Sequence, residues 1–133
     1  MPVDALFNAA ARARENAHAP YSNFKVGAAV RAASGRIYAG CNVENAAYPS
    51  TLCAEAGAIA AMVAGGDTSI AEILVIGAGA ALVTPCGACR QRIREFAAGG
   101  ARIHVAGLEG VRAAFTLDEL LPQSFCPDNL GEK

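Results

Sequence analysis

Two short segments carry the residues whose types and spacing can do chemistry: Cys53-Ala54-Glu55 and Pro85-Cys86-Gly87-Ala88-Cys89. Each falls where an apolar period of three and four residues begins. Leu52, Ala56, Ile59, Ala60 and Val63 mark one helical face up to Gly65-Gly66, with Ser50 or Thr51 as the expected N-cap. Cys89, Ile93, Phe96 and Ala97 mark another over Cys86 to Ala98, opened by Pro85 and closed by Gly99-Gly100. Thiols at helix N-termini meet free N–H groups and partial positive charge, which lower their pKa and offset thiolate charge. Cys86 and Cys89, three apart, can grip one ion, with Cys53 as a third ligand from the neighbouring helix. Three protein ligands leave a fourth position open. An open position on Zn²⁺ acidifies a bound water, whereas a structural zinc site is closed by a fourth Cys or His. Glu55, two residues past a ligand, is placed to exchange protons with that water.

Taken alone, Cys-x-x-Cys also describes a redox pair, half of a closed zinc site or two small core residues. The soft side chains that could close a site are His18, His104, Cys41 and Cys126. His104 falls in an expected strand and His18 at a helix end, where structural roles are commoner. Five cysteines are an odd number, and Met1 to Asn16 does not read as an export signal, so metal-binding, catalytic or free thiols are expected rather than disulfides. The cytoplasm is the expected compartment. Asn42 and Glu44, two apart at a strand end, can offer an amide and a carboxylate to vicinal hydroxyls on one side; a turn residue and a surface charge are the plainer alternatives.

The elements that must position these groups follow from the rest of the chain. Leu6, Ala10, Ala13 and Ala17 form one stripe of a helix over Asp4 to Ala17, ended by Pro20. Phe24 to Ala32 and Arg36 to Cys41 read as a hairpin about Ser34-Gly35, followed by a loop from Asn42 to Ser50. Ile73 to Ile76 is apolar throughout, as a strand covered on both faces must be. Arg102 to Ala106 is a further strand, and Thr116 to Glu119 has capping-box spacing. The expected order is α-β-β-α-β-α-β-α in one domain, residues 1–133.

Length and composition bound the function. A chain of 133 residues can bury roughly 65–70% of its surface in one core. Eleven Lys+Arg against twelve Asp+Glu, with no basic block, disfavour a grip on long nucleic acid. The apolar stretch Ile73 to Val83 is broken by glycines and too short to span a membrane. A hydrophobic fraction of 53% with 17% charged residues exceeds what a lone small monomer needs, which points to an oligomer.

The cysteine and glutamate pattern matches the signature of zinc nucleobase deaminases. With Ala-Pro-Tyr-Ser-Asn-Phe (19 to 24), Val-Gly-Ala-Ala (26 to 29), Gly-Cys-Asn-Val-Glu-Asn-Ala (40 to 46), Pro-Cys-Gly-Ala-Cys-Arg-Gln (85 to 91) and Leu-Leu-Pro-Gln-Ser-Phe (120 to 125), the chain resembles the small-subunit, homotetrameric cytidine deaminases from about Asp4 to Leu130. The resemblance implies a three-layer α/β/α sandwich around a mixed five-stranded sheet, so a fifth strand is expected near Val111 to Phe115. It implies one Zn²⁺ per chain on Cys53, Cys86 and Cys89, and Glu55 as the proton shuttle while activated water attacks C4. Cytidine and 2′-deoxycytidine would become uridine and 2′-deoxyuridine with release of ammonia. It also implies that Phe24, Asn42, Glu44 and Ala54 contact a free nucleoside, and that Ala46, Tyr48 and Phe125 reach the site of a neighbouring chain. Deaminases of polynucleotide bases usually carry His where Cys53 stands, with basic channels for the strand. A deaminase of aminonucleoside antibiotics and a non-catalytic zinc scaffold are the competing readings; Glu44 opposes the first, Glu55 and the open position the second. One departure stands out: many members place an arginine after Cys-Ala-Glu to donate to the ligand sulfurs, and here it is Ala56. Without it the cluster either stays more negative or leans on the two helix N-termini, on backbone N–H groups or on Arg90 next to Cys89, while a solvated helix face is the plainer reading for Arg92 and Arg94.

Overall fold

The computed structural model describes residues 2–131. Strands β1 (Val26–Ala32), β2 (Ile37–Cys41), β3 (Ile70–Gly77), β4 (Arg102–Gly107) and β5 (Gly110–Thr116) form one sheet in the order β2-β1-β3-β4-β5. The β3–β4 pair is parallel and the other three pairs are antiparallel. Helix α1 (Asp4–Glu15) covers one face, and α2 (Ala54–Ala64) and α3 (Gly87–Phe96) the other; the short helices α4 (Leu117–Leu120) and α5 (Pro127–Leu130) complete the chain. This is the expected mixed, five-stranded α/β/α sandwich.

Strand alternation divides the core between the two faces. Ala28, Val30, Ile73, Val75 and Ile103 join Ala58, Ile59, Met62 and Ile93 on the side of α2 and α3. Ala29, Leu74, Ile76 and Ala106 meet Leu6 and Ala10 beneath α1. Close approach is what holds α2 in place: a Cβ added at Gly40 of β2 would lie 2.4 Å from Ala58 N and 2.7 Å from Ala54 O. Only glycine lets the first turns of α2 lie this low on the sheet.

Several boundaries differ from expectation for local reasons. Helix α1 ends at Glu15 rather than Ala17, because Asn16 N and Ala17 N close on Ala13 O and Arg14 O while His18 N turns to Asn42 O. β3 starts at Ile70, earlier than the purely apolar run, because Glu72 is held by polar partners at the sheet. The N-cap of α2 is Cys53, not Ser50 or Thr51. Tyr48–Ser50 form a 3₁₀ turn, and Val43 and Leu52 exchange backbone hydrogen bonds that keep the chain extended up to Cys53. Cys86 likewise precedes its helix as the N-cap of α3. The expected fifth strand is present as β5, joined to β4 by the tight turn between Gly107 and Gly110. Helix α5, beyond Phe125, had no expectation attached to it.

Candidate active site

The site lies where β1 begins and β2 and β3 end. Val26 is paired with Gly77, and Gly27 with Cys41. Ligands favour such a crevice beyond the carboxyl ends of strands, since the loops there converge from both sides. The loop leaving β3 ends in Pro85 and Cys86, and the loop leaving β2 ends in Cys53. Helices α2 and α3 therefore aim their N-termini at one point. Neither N-cap cysteine uses its side chain in a capping hydrogen bond, so both thiols remain available.

The sulfurs of Cys53, Cys86 and Cys89 all lie within 4.8 Å of one another, with Cys53 Sγ 3.9 Å from Cys86 Sγ. Three thiolates bound tetrahedrally to one zinc stand about 3.8 Å apart. The trio thus suits one zinc ion in both donor chemistry and spacing, and it is the one such group among the described residues. His18, His104, Cys41 and Cys126 take no part. His104 lies in β4 with Nε2 2.8 Å from Glu72 Oε1, on the sheet rather than at the thiols.

Glu55 occupies the first turn of α2 and is 4% exposed. Burial raises its pKa above the ordinary carboxylate value, partly opposed by its own backbone N–H and by the charge of Arg92. Burial also raises Cys89 and Cys53. At Cys86 burial pushes upward too, but the Cys89 backbone N–H and the hydrogen-bonding thiols of Cys53 and Cys89 outweigh it and leave that thiol below its usual value.

A cavity of about 240 Å³ opens over these groups, lined by Phe24, Val26, Asn42, Thr51, Leu52, Cys53, Ala54, Glu55, Val75, Val83, Thr84 and Cys86. Apolar side chains (Phe24, Val26, Leu52, Val75, Val83) share the lining with a few polar ones (Asn42, Thr51, Glu55, Thr84), the usual composition of a small-molecule pocket. Phe24, Asn42, Ala54, Glu55 and two of the thiols are thus brought together around one cavity. The Asn42 amide is fixed, its Oδ1 accepting from Val26 N at 2.9 Å and its Nδ2 donating to Phe24 O at 2.8 Å, with one N–H and one lone pair to spare.

Glu44 is displaced from the cavity lining. Its carboxylate accepts from Tyr21 N, Ser22 N and the Ser22 hydroxyl, and the Ser22 hydroxyl leads the interactions holding its pKa low. It borders an adjoining depression with Tyr21, Ser22, Tyr48 and Thr51; Thr51 lines both hollows. Tyr48 is 71% exposed and meets Tyr21 edge-on. Ala46 lies outside the cavity lining, and Phe125, 57% exposed, borders a separate hollow with Gln91 and Leu130.

The sequence reading missed the apolar wall of Val26, Val75 and Val83, whose strand or loop positions carry no chemical signature, and Thr84, which directly precedes Pro85. Arg90, one of the donors that the sequence leaves open for the thiols, does not serve as one, and the arginine that does reach a sulfur is one the sequence reads as solvated. Arg90 donates to Pro85 O and Leu120 O, each at 2.8 Å, and to Thr84 Oγ1 at 3.2 Å; it touches no sulfur. Arg92, one helical turn from Cys89, donates from Nη1 to Cys89 Sγ at 3.3 Å. Adjacency in sequence turns a helical side chain about 100° away, whereas a separation of three returns it to the same face.

Residues 2–105 match the family model described as the cytidine and deoxycytidylate deaminase zinc-binding region. The cytidine deaminase of Sporosarcina psychrophila is 42% identical over 131 residues, covering 98% of this chain and 96% of that protein. That of Mycobacterium tuberculosis is 41% identical over 122 residues, covering 91% and 87%. The crystal structure of the Burkholderia pseudomallei cytidine deaminase superposes with a TM-score of 0.87 at 41% identity, covering 94% of this chain and all of that one.

Proposed function

The chain belongs to the cytidine and deoxycytidylate deaminase zinc-binding family, and on that premise we propose that it hydrolyses free cytidine and 2′-deoxycytidine to uridine and 2′-deoxyuridine with release of ammonia. The observation that carries the reading is a buried carboxyl, Glu55, beside three converging thiols at the floor of a partly apolar cavity. Cys53, Cys86 and Cys89 hold one zinc per chain. When bound, zinc supplies Lewis acidity that makes water nucleophilic near neutral pH.

The protein's own groups supply the rest. Glu55 takes a proton from the attacking water as the C4–O bond forms, delivers it to N3 of the pyrimidine, and relays a second to the exocyclic nitrogen as the C4–N bond breaks. A raised pKa suits a carboxyl that must change charge in each turnover. Phe24 and the valine wall flank the base, and the Ala54 backbone borders its polar edge. Asn42, anchored to β1, offers its spare N–H and lone pair to the sugar; Glu44, one hollow away, presents a carboxylate to the same hydroxyls.

The whole chain, residues 1–133, acts as one domain, and four copies form a homotetramer in which Ala46, Tyr48 and Phe125 complete a neighbour's pocket. Among the described residues no helix is long and apolar enough to cross a membrane, and we place the enzyme in the cytoplasm. The test is the fall in near-ultraviolet absorbance as cytidine becomes uridine, with and without prior zinc removal. Turnover that survives complete zinc removal, or no change with cytidine, overturns the proposal.

A further inference from the structure

Three arginines alternate along α3, and they divide their work unequally. Arg90 is spent on two backbone carbonyls and Thr84, as described above. Arg94 donates to Ser124 Oγ at 3.0 Å and to Ala97 O at 2.7 Å. Both tie α3 to its surroundings. Arg92 has one hydrogen-bond partner, the sulfur of Cys89. Among the described residues it is the one cation hydrogen-bonded to any of the three thiols. Ala56, one turn past Cys53 on α2 and buried, has no side-chain donor to offer from the opposite helix.

Three thiolates against one divalent cation leave a net negative charge, and Glu55 adds another when ionised. A guanidinium that donates to one of the sulfurs both cancels charge and withdraws electron density from that ligand. We propose that Arg92 is the counter-charge of the three-thiolate cluster and a positioning residue for its zinc, supplied from α3 rather than α2. It travels on the helix that Cys86 caps and that carries Cys89, so the charge and two of the ligands are set by one element. Its role is indirect, since it is absent from the cavity lining and its one hydrogen bond to the site is to Cys89.

The inference rests on the zinc reading above, and the test separates the two. Cobalt(II) replaces zinc in the protein, and the thiolate-to-cobalt charge-transfer band is recorded beside the rate at which a chelator strips zinc. Arg92→Ala and Arg92→Gln are expected to lose zinc at least about tenfold faster, the scale of outer-shell effects on metal affinity. Their band should move to longer wavelength as the sulfur regains electron density. Arg92→Lys keeps the charge but not the planar fork, and should fall between them and the parent. Arg94→Ala, which loosens the same helix without touching a sulfur, should leave the band in place. Because Arg92 is largely exposed, the conservative Gln and Lys variants keep the comparison meaningful if the Ala variant folds poorly. Unchanged band and zinc release in the Arg92 variants, or an equal band shift in Arg94→Ala, overturn the role of Arg92. A parent protein with no thiolate-to-cobalt band overturns the zinc site itself.

Discussion

Glu55 and Gln have nearly the same shape, so Glu55→Gln isolates proton transfer from packing. The amide cannot relay a proton, and turnover should drop by about 10²–10⁴-fold while zinc content, read by metal analysis, stays at that of the parent. Near-normal turnover would remove Glu55 from the mechanism. At this scale the sequence was legible wherever chemistry depends on residue type and helical spacing. Cys53, Cys86 and Cys89 converge because two helix starts bring them together, and a carboxylate two residues past a cysteine stands out unaided. What the letters did not disclose was direction. Arg90 and Arg92 look interchangeable in a row of arginines, and only the turn of α3 sends one to a sulfur and the other to carbonyls. Glu44 was equally hidden, since its partners are backbone N–H groups of a distant loop.

Between elements, one polar cluster ties three strands together beneath α1. Glu72 of β3 accepts from Arg31 Nε of β1 at 2.9 Å, and its other oxygen lies 2.8 Å from His104 Nε2 of β4. Arg31, 4% exposed, also donates to Pro2 O at 2.8 Å. Burial pushes the Glu72 carboxyl upward, but its hydrogen bonds with His104 and Arg31 outweigh that and hold its pKa below the ordinary value. The folded state therefore binds a proton at this site less readily than the unfolded chain. Its contribution is complete above the unfolded pKa of about 4.3 and is lost as the pH falls through the lower folded value. Glu72→Gln should cost about 1.5–3 kcal/mol near neutrality and progressively less in acid, as measured by urea unfolding across a pH series. A constant difference at all pH values would refute the linkage. Helices α1, α2 and α3 were readable from their periodicity and β3 from its unbroken apolar run, whereas α5 left no signal that was read. β5 was harder, because its tight turn and adjacent alanines, Ala113 and Ala114, give little apolar contrast; its place came from a resemblance rather than from its own pattern.

For the molecule as a whole, the aromatic and apolar residues Tyr21, Tyr48, Leu52, Val63 and Phe125 stand exposed among the described residues. A tetramer with shared pockets makes a sharp prediction. Glu55→Gln and Phe125→Ala chains, each impaired alone, should regain activity when unfolded and refolded together, since some mixed pockets combine an intact Glu55 with a neighbour's intact Phe125. No gain in mixtures shown by sedimentation to contain both chains would place Phe125 outside a partner's site. The composition already pointed to association, but which surfaces meet was not legible, because exposure depends on packing and not on residue type. The convergence of thiols from α2 and α3 also has a thermodynamic consequence. Cys53 lies on one side of β3 in the chain and Cys86 and Cys89 on the other, so the unfolded polymer offers no preformed trio, and zinc favours the folded chain. Melting temperature then becomes a gauge of free zinc: above saturation each tenfold rise in buffered zinc adds about 1.4 kcal/mol to the folded state. The midpoint should climb linearly with the logarithm of free metal, and Cys53→Ser should flatten that line.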